Sequence, residues 1–146
     1  MTRIGIRRED KSPWERRTPL VPVDLQRLMR EHGLQFTAQA SPRRAFPNDA
    51  FQKVGVEVAE DLADCPIIMG VKEIPPARFE LGKTYVFFSH TIKGQPGSMP
   101  MLRRLMELKC SLIDYEKIVD DQGRRLVFFG RFAGLAGMID SLWALG

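Results

Sequence analysis

The sequence predicts an α/β domain built on a mostly parallel, doubly wound sheet, and three observations carry that prediction. The stretch CPIIMGVKEIPPARFELGKTYVFFSHTIKGQP holds two apolar runs of strand length, residues 67–71 and 85–88, each ending abruptly in polar groups. Continuous apolar runs rich in β-branched and aromatic residues read as strands buried on both faces. The link between them, residues 73–84, carries Pro75-Pro76 early and Gly82 late, which suits one short helix in a crossover between parallel neighbours. Finally, strand-like and helix-like segments alternate along the chain. Parallel neighbours place their C-terminal ends on one edge of the sheet, roughly 5 Å apart. Lys72-Glu73 and Ser89-His90 then emerge side by side, where open α/β sheets bind ligands.

Taken in order, residues 3–7 (RIGIR) form a first strand with Ile4 and Ile6 on one face, ending in Arg7, Arg8, Glu9 and Asp10. A loop follows, KSPWERRTPLVP. Pro22 opens a helix carrying Leu25, Leu28 and Met29 at helical spacing, with Gly33 as its stop. Residues 34–40 are the second strand, and Asn48 is placed to cap a short helix running to about Val54. Val56 and Val58 suit a small edge strand, and residues 59–64 a helical turn. Past His90, Ser98 caps a helix whose buried face carries Met99, Leu102, Leu105 and Met106, and residues 110–113 make a further strand. Asp121-Gln122-Gly123 turns the chain into residues 124–129, which predicts a β-hairpin near the C-terminal end. The segment GRFAGLAGMIDSLWALG reads as a helix whose small residues allow close packing. Its glycines do not make G-x-G-x-x-G, so there is no dinucleotide fingerprint. The sum is a flavodoxin-like or Rossmann-like sheet with flanking helices.

A chain of 146 residues holds one domain with a full core. No apolar run reaches the twenty or so residues of a membrane span, and the charged start MTRIGIRRED lacks the apolar heart of a signal peptide. Cys65 and Cys110 both sit beside apolar runs as small buried hydrophobes, so a cytoplasmic setting is expected, with no zinc spacing. The net charge of +4 raises nucleic acid as a partner, but the arginine pairs are scattered along the chain and carry no nucleic-acid signature. They read mostly as solvated surface, with small anions as the use for the few that reach a site.

Lysine at the end of a buried strand is unusual, and histidine is the residue type best suited to moving protons at physiological pH. Together Lys72 and His90 could move protons at a carbonyl or amine centre, or hold a carboxylate. The bland alternative pairs Lys72 with Glu73 on the surface and leaves His90 a loop histidine. Arg17, in the proline-rich loop, suits a forked grip on a carboxylate, while its neighbours Glu15 and Arg16 need do no more than face solvent. In the hairpin only one of Arg124 and Arg125 can point inward.

WERRTPLVP, GVKEIPP with FFSHTIKGQ, and IDYEKIVDDQGRRLVFFGRFAGLAGM together resemble the N-terminal domain of the alanine dehydrogenase, transhydrogenase and saccharopine dehydrogenase superfamily. Within it the chain is most similar to the lysine–ketoglutarate reductase domain of the bifunctional lysine-degradation enzyme. The resemblance implies a substrate-binding domain at residues 1–130 and a linker helix at 131–146 toward a dinucleotide-binding domain that this chain does not contain. It implies Lys72 and His90 as catalytic residues, Arg17, Glu116 and Arg124 as substrate-binding residues, and Phe129 against the cofactor. The implied reaction joins lysine to 2-oxoglutarate and reduces the product to saccharopine with NADPH or NADH, the fragment alone being inactive. A lysine-forming saccharopine dehydrogenase, an alanine-dehydrogenase-like enzyme and a non-catalytic anion-binding module are the alternatives. Partners would be these small molecules, a dinucleotide-binding domain in cis or trans and a homo-oligomeric copy. Nucleic acid and membrane are not expected. In a eukaryote the compartment would be the mitochondrial matrix, although no transit peptide is seen.

Overall fold

The protein is described from a computed structural model covering residues 2–146. It divides into two compact units, Met1–Tyr115 and Glu116–Gly146. The first holds six strands: β1 (Arg3–Ile6), β2 (Gln35–Gln39), β3 (Glu57–Ala59), β4 (Ile67–Met69), β5 (Thr84–Phe87) and β6 (Ser111–Asp114). They form one sheet in the order β3-β2-β1-β4-β5-β6, and every pairing is parallel. The order reverses between β1 and β4, which makes that pair the switch point where such sheets open a crevice. The expected pairing of the two central runs is present, with Ile68 level with Tyr85 and Met69 with Val86.

Each face of the sheet carries its own core. On one face α1 (Pro22–His32) and α2 (Asn48–Lys53) cover Ile6, Phe36 and Ala38 with Leu25 and Phe51. Pro22 starts α1 where its missing N–H costs nothing, and Gly33 ends it at φ 64°, donating to Met29 O at 3.0 Å. On the other face α3 (Met99–Glu107) lays Met101 and Leu105 against Ile68, Tyr85 and Phe87. Phe79 joins them, edge-on to Tyr85 with ring centroids 4.8 Å apart.

Several local expectations are corrected. The link 73–84 holds only a 3-10 turn, Pro76–Arg78, because Pro75 precedes it, Pro76 opens it and Phe79 must swing into the core immediately after. Residues 59–64 contain no helix; Cys65 N–H closes a turn on Leu62 O at 3.0 Å. Pro47, not Asn48, is the N-cap of α2, and the Asn48 side chain instead accepts from Ser41 N–H at 3.1 Å. On α3, Met106 lies outside, 71% exposed. Arg7 and Arg44 are not surface arginines: both are buried, Arg44 with its guanidinium 4.4 Å above the Phe51 ring.

In the second unit the hairpin is reduced to one antiparallel bridge, Val119 with Arg125, closed by a turn with Gly123 at φ 76°. α4 (Gly130–Ala144) follows, with Phe129 as its N-cap.

The sheet leaves a specific prediction at Gly5. A Cβ there would come within 3.0 Å of Ile68 Cδ1 and Leu62 Cδ1 and 3.1 Å of Cys65 Cβ. Gly5→Ala should destabilise by about 1–3 kcal/mol, while Gly97→Ala, which faces open space, should change stability by under about 0.5 kcal/mol. Urea denaturation of the two variants checks the contrast.

Candidate active site

The chain leaves β1 at Arg7, whose N–H donates to Met69 O at 3.0 Å, and then turns away from β4. The chain just past β4 stays beside β5: Gly70 N–H reaches Val86 O at 2.9 Å and Phe88 N–H reaches Val71 O at 3.1 Å. On the β1 side the partner is a side chain. Glu9 Oε1 accepts from Val71 N–H at 2.8 Å and Glu9 Oε2 from Lys72 N–H at 3.0 Å. The Glu9 side chain is 1% exposed. Burial pushes its carboxyl up, against the two backbone hydrogen bonds and the Arg7 charge that favour ionisation. Gly70 makes the approach possible, since a Cβ there would stand 2.9 Å from Arg7 Cδ and 3.3 Å from Glu9 Oε1.

Past the paired strands the Phe88–Val71 hydrogen bond keeps the two chain ends together, with Lys72 one residue after Val71 and His90 two after Phe88. Both candidate catalytic residues are therefore at the C-terminal edge, half-buried. Glu73 is not the partner of Lys72; it binds Lys11 Nζ at 2.6 Å. His90 adopts a left-handed backbone, φ 55° and ψ 11°, which is strained for a residue with a Cβ. The segment is tied down on both sides of it. The Ser89 hydroxyl donates a short hydrogen bond to Asp114 Oδ2, Ser89 N–H donates to the same oxygen at 3.3 Å, and Thr91 N–H donates to Ser89 Oγ at 3.2 Å. Phe88 lies near-parallel to the His90 ring at 6.5 Å and edge-on to Tyr115 at 4.9 Å. Tyr115 is buried, and burial, with the Glu9 charge behind it, keeps its phenol protonated far above neutrality.

Arg17 is gripped by Glu15, with Nε at 2.7 Å from Oε1 and Nη2 at 2.5 Å from Oε2. Glu15 does not face solvent, for its side chain is only 8% exposed. The Arg17 hydrogen bond holds the Glu15 carboxyl below the usual carboxylate range, with a smaller contribution from the Lys72 charge. Glu9 in turn acts on Arg17 and Glu15 through space. Arg17, Lys72, Glu9 and Glu15 thus form one electrostatic group. Beside it, a cavity of about 150 Å³ is lined by residues that include Arg7, Arg8, Asp10, Arg78 and Tyr85.

The remaining predicted residues lie in the second unit. Glu116 pairs with Arg125 at 3.2 Å, so Arg125, and not Arg124, meets it. Arg124 is held by Asp120 at 2.7 Å, and Phe129 is the N-cap of α4. Sequence reasoning passed over Glu9, Ser89, Asp114 and Tyr115. The signal for Glu9 was the abrupt polar end of the first strand; nothing in spacing marks Asp114.

Among the described residues no group of three or more His, Cys, Asp or Glu could hold a metal, and no helix is long and apolar enough to cross a membrane. A dinucleotide does not fit the switch point. Arg7, Arg8, Glu9 and Asp10 follow β1 where a glycine-rich phosphate turn would be needed, and Glu9 presents a carboxylate there.

The fold is an open α/β domain whose candidate site gathers one lysine, one histidine and an arginine–glutamate pair. Residues 5–136 match the family model of the alanine dehydrogenase/PNT N-terminal domain, and the chain belongs to that family. It is 41% identical over 143 residues to the mitochondrial alpha-aminoadipic semialdehyde synthase of Rattus norvegicus, covering 98% of this chain and 15% of that protein. It is 36% identical over 141 residues to the saccharopine dehydrogenase [NAD(+), L-lysine-forming] of Emericella nidulans, covering 92% of this chain and 37% of that one. The chain therefore spans well under half the length of these relatives. A solved L-alanine dehydrogenase superposes with a TM-score of 0.70 at 20% identity, over 84% of this chain and 34% of its own, and shares the fold.

The two buried carboxyls predict opposite pH effects. Glu15, held below the ordinary value of 4.5, adds stability that is complete above that pH and lost as pH falls through its lowered value. Glu9, pushed above 4.5, instead opposes folding as pH rises through its raised value. Glu15→Gln should therefore flatten the acid limb. Its urea midpoint should fall less than that of the wild type between pH 6 and pH 3, by roughly 0.5 M. Arg17 is nearly half exposed, so solvent screening limits the contribution to about 1 kcal/mol or less.

Proposed function

We propose that the chain is the substrate-binding half of an NAD(P)-dependent amino-acid oxidoreductase, and that its reaction is the joining of lysine to 2-oxoglutarate to form saccharopine. The observation that carries this reading is that Lys72 and His90 follow the ends of the neighbouring strands β4 and β5, with the Arg17-bound Glu15 under the influence of the Lys72 charge. The similarity to alpha-aminoadipic semialdehyde synthases over nearly the whole chain supports it. In this reading Arg17, held in one orientation by Glu15, meets a substrate carboxylate. Lys72 and His90 move protons as the amine adds to the ketone and as water leaves. Glu116, Arg124 and Phe129 complete the substrate and cofactor contacts. Residues 1–130 form the substrate-binding part, and residues 131–146, which hold nearly all of α4, are the linker. The nicotinamide dinucleotide is held by another domain, for the reason given by Glu9. The similarity to lysine-forming saccharopine dehydrogenases supports the same chemistry run in reverse as the second reading.

Two measurements test the proposal. The 146-residue chain should bind 2-oxoglutarate in roughly the millimolar range expected of half a site, about −4 kcal/mol, and Arg17→Ala should weaken it further. NMR shifts confined to residues away from Arg17, Lys72 and His90 would misplace the site. In a polypeptide joining this chain to a dinucleotide-binding domain, Lys72→Met and His90→Gln should each slow NADPH oxidation by lysine and 2-oxoglutarate about a hundred- to ten-thousand-fold. Undiminished rates would end the acid–base assignment.

A further inference from the structure

We propose that Glu9 is a positioning residue for Lys72, acting on the reaction only through it; the proposal rests on the reading of Lys72 as a substrate-contacting group. After Arg7 the β1 strand no longer offers carbonyls to β4, so Val71 and Lys72 would end the strand with amides unpaired on that side. The two oxygens of one carboxylate take both amides, at 2.8 and 3.0 Å, and so fasten the bend that follows β4, up to the Cα of Lys72. Glu9 is itself sealed from solvent and cannot reach a substrate. Its side chain is fixed by what surrounds it: Arg7 Nη1 lies 3.9 Å from Oε2, and the bare Gly70 leaves room for both. The same device recurs one strand further on, where Asp114 at the end of β6 takes the Ser89 amide and hydroxyl just before His90. Each candidate catalytic residue thus has a buried carboxylate from the neighbouring strand end fastening the backbone from which it projects.

The test is a double-mutant cycle on 2-oxoglutarate affinity, measured by NMR on the 146-residue chain, with thermal midpoints recorded for every variant. Glu9→Ala should weaken binding about tenfold in the wild-type background and less than about twofold in Lys72→Met, because a residue acting through Lys72 has nothing left to act on. Glu9→Gln, which keeps one acceptor oxygen and the volume, should fall between and replaces Glu9→Ala in the cycle if the alanine variant does not fold. Equal losses in both backgrounds, or no loss, overturn the proposal. Should the wild-type chain not bind 2-oxoglutarate, the functional reading fails, and amide exchange decides the positioning separately. Exchange faster by about tenfold at Val71 and Lys72, with Ala38 and Val86 unchanged, upholds it. Exchange unchanged at Val71 and Lys72, or accelerated evenly across β2 and β5, overturns it.

Discussion

The carboxylate of Glu9, buried between the ends of β1 and β4, is the interaction on which the edge of this sheet depends. Hydrogen bonds to an ionised acceptor are worth about 1.5–3 kcal/mol each, and a buried carboxylate without them would be strongly unfavourable. The two amides and the Arg7 guanidinium supply what burial removes, yet burial still dominates and raises the carboxyl. Such a balance restricts its neighbours. Gly70 must have no side chain, Arg7 must lie across it, and Val71 and Lys72 must keep the bend that turns both amides to Glu9. The position of Lys72 is a consequence of that packing.

Much of the fold was legible because its signals are local and repeated. Continuous apolar runs marked the central strands, and the Pro22 and Gly33 boundaries of α1 are set by backbone chemistry that only those residues satisfy. The failures came where tertiary demands outweighed local ones. Phe79 is drawn into the core beside Tyr85 and Phe87, which leaves the preceding residues one turn and no more. Met106 follows the helical period well enough to look buried, yet Met101 and Leu105 already fill the face that meets the sheet.

The candidate site was legible in a different way. Lys72 and His90 stand out as polar residues closing apolar runs, and Arg17 as a forked cation in a proline-rich loop. Their supports do not stand out. Glu9 was one of four consecutive polar residues, and only the three-dimensional path of the chain separates it from Asp10, which pairs with Arg7 at 2.8 Å instead. Asp114 closes a strand and pairs across space with a serine twenty-five positions earlier. Glu15 sits among charged neighbours and is buried by its contact with Arg17. A buried carboxylate on the surface side of a turn has no sequence signature, because its partners are backbone amides that every residue possesses.

The strand order β3-β2-β1-β4-β5-β6 is also that of dinucleotide-binding sheets, so order alone would direct a pyrophosphate to the gap beyond β1 and β4. Charge argues the other way. A pyrophosphate needs converging amides and a bare glycine turn, whereas here the amides of Val71 and Lys72 are already given to Glu9. Glu9 and Glu15, which already repel each other through space, would also repel a phosphate brought there, in a region of reduced dielectric where repulsion is stronger than in water. The amides that would serve a phosphate are spent within the protein, and the residue that takes them is the one that fastens the backbone of Lys72.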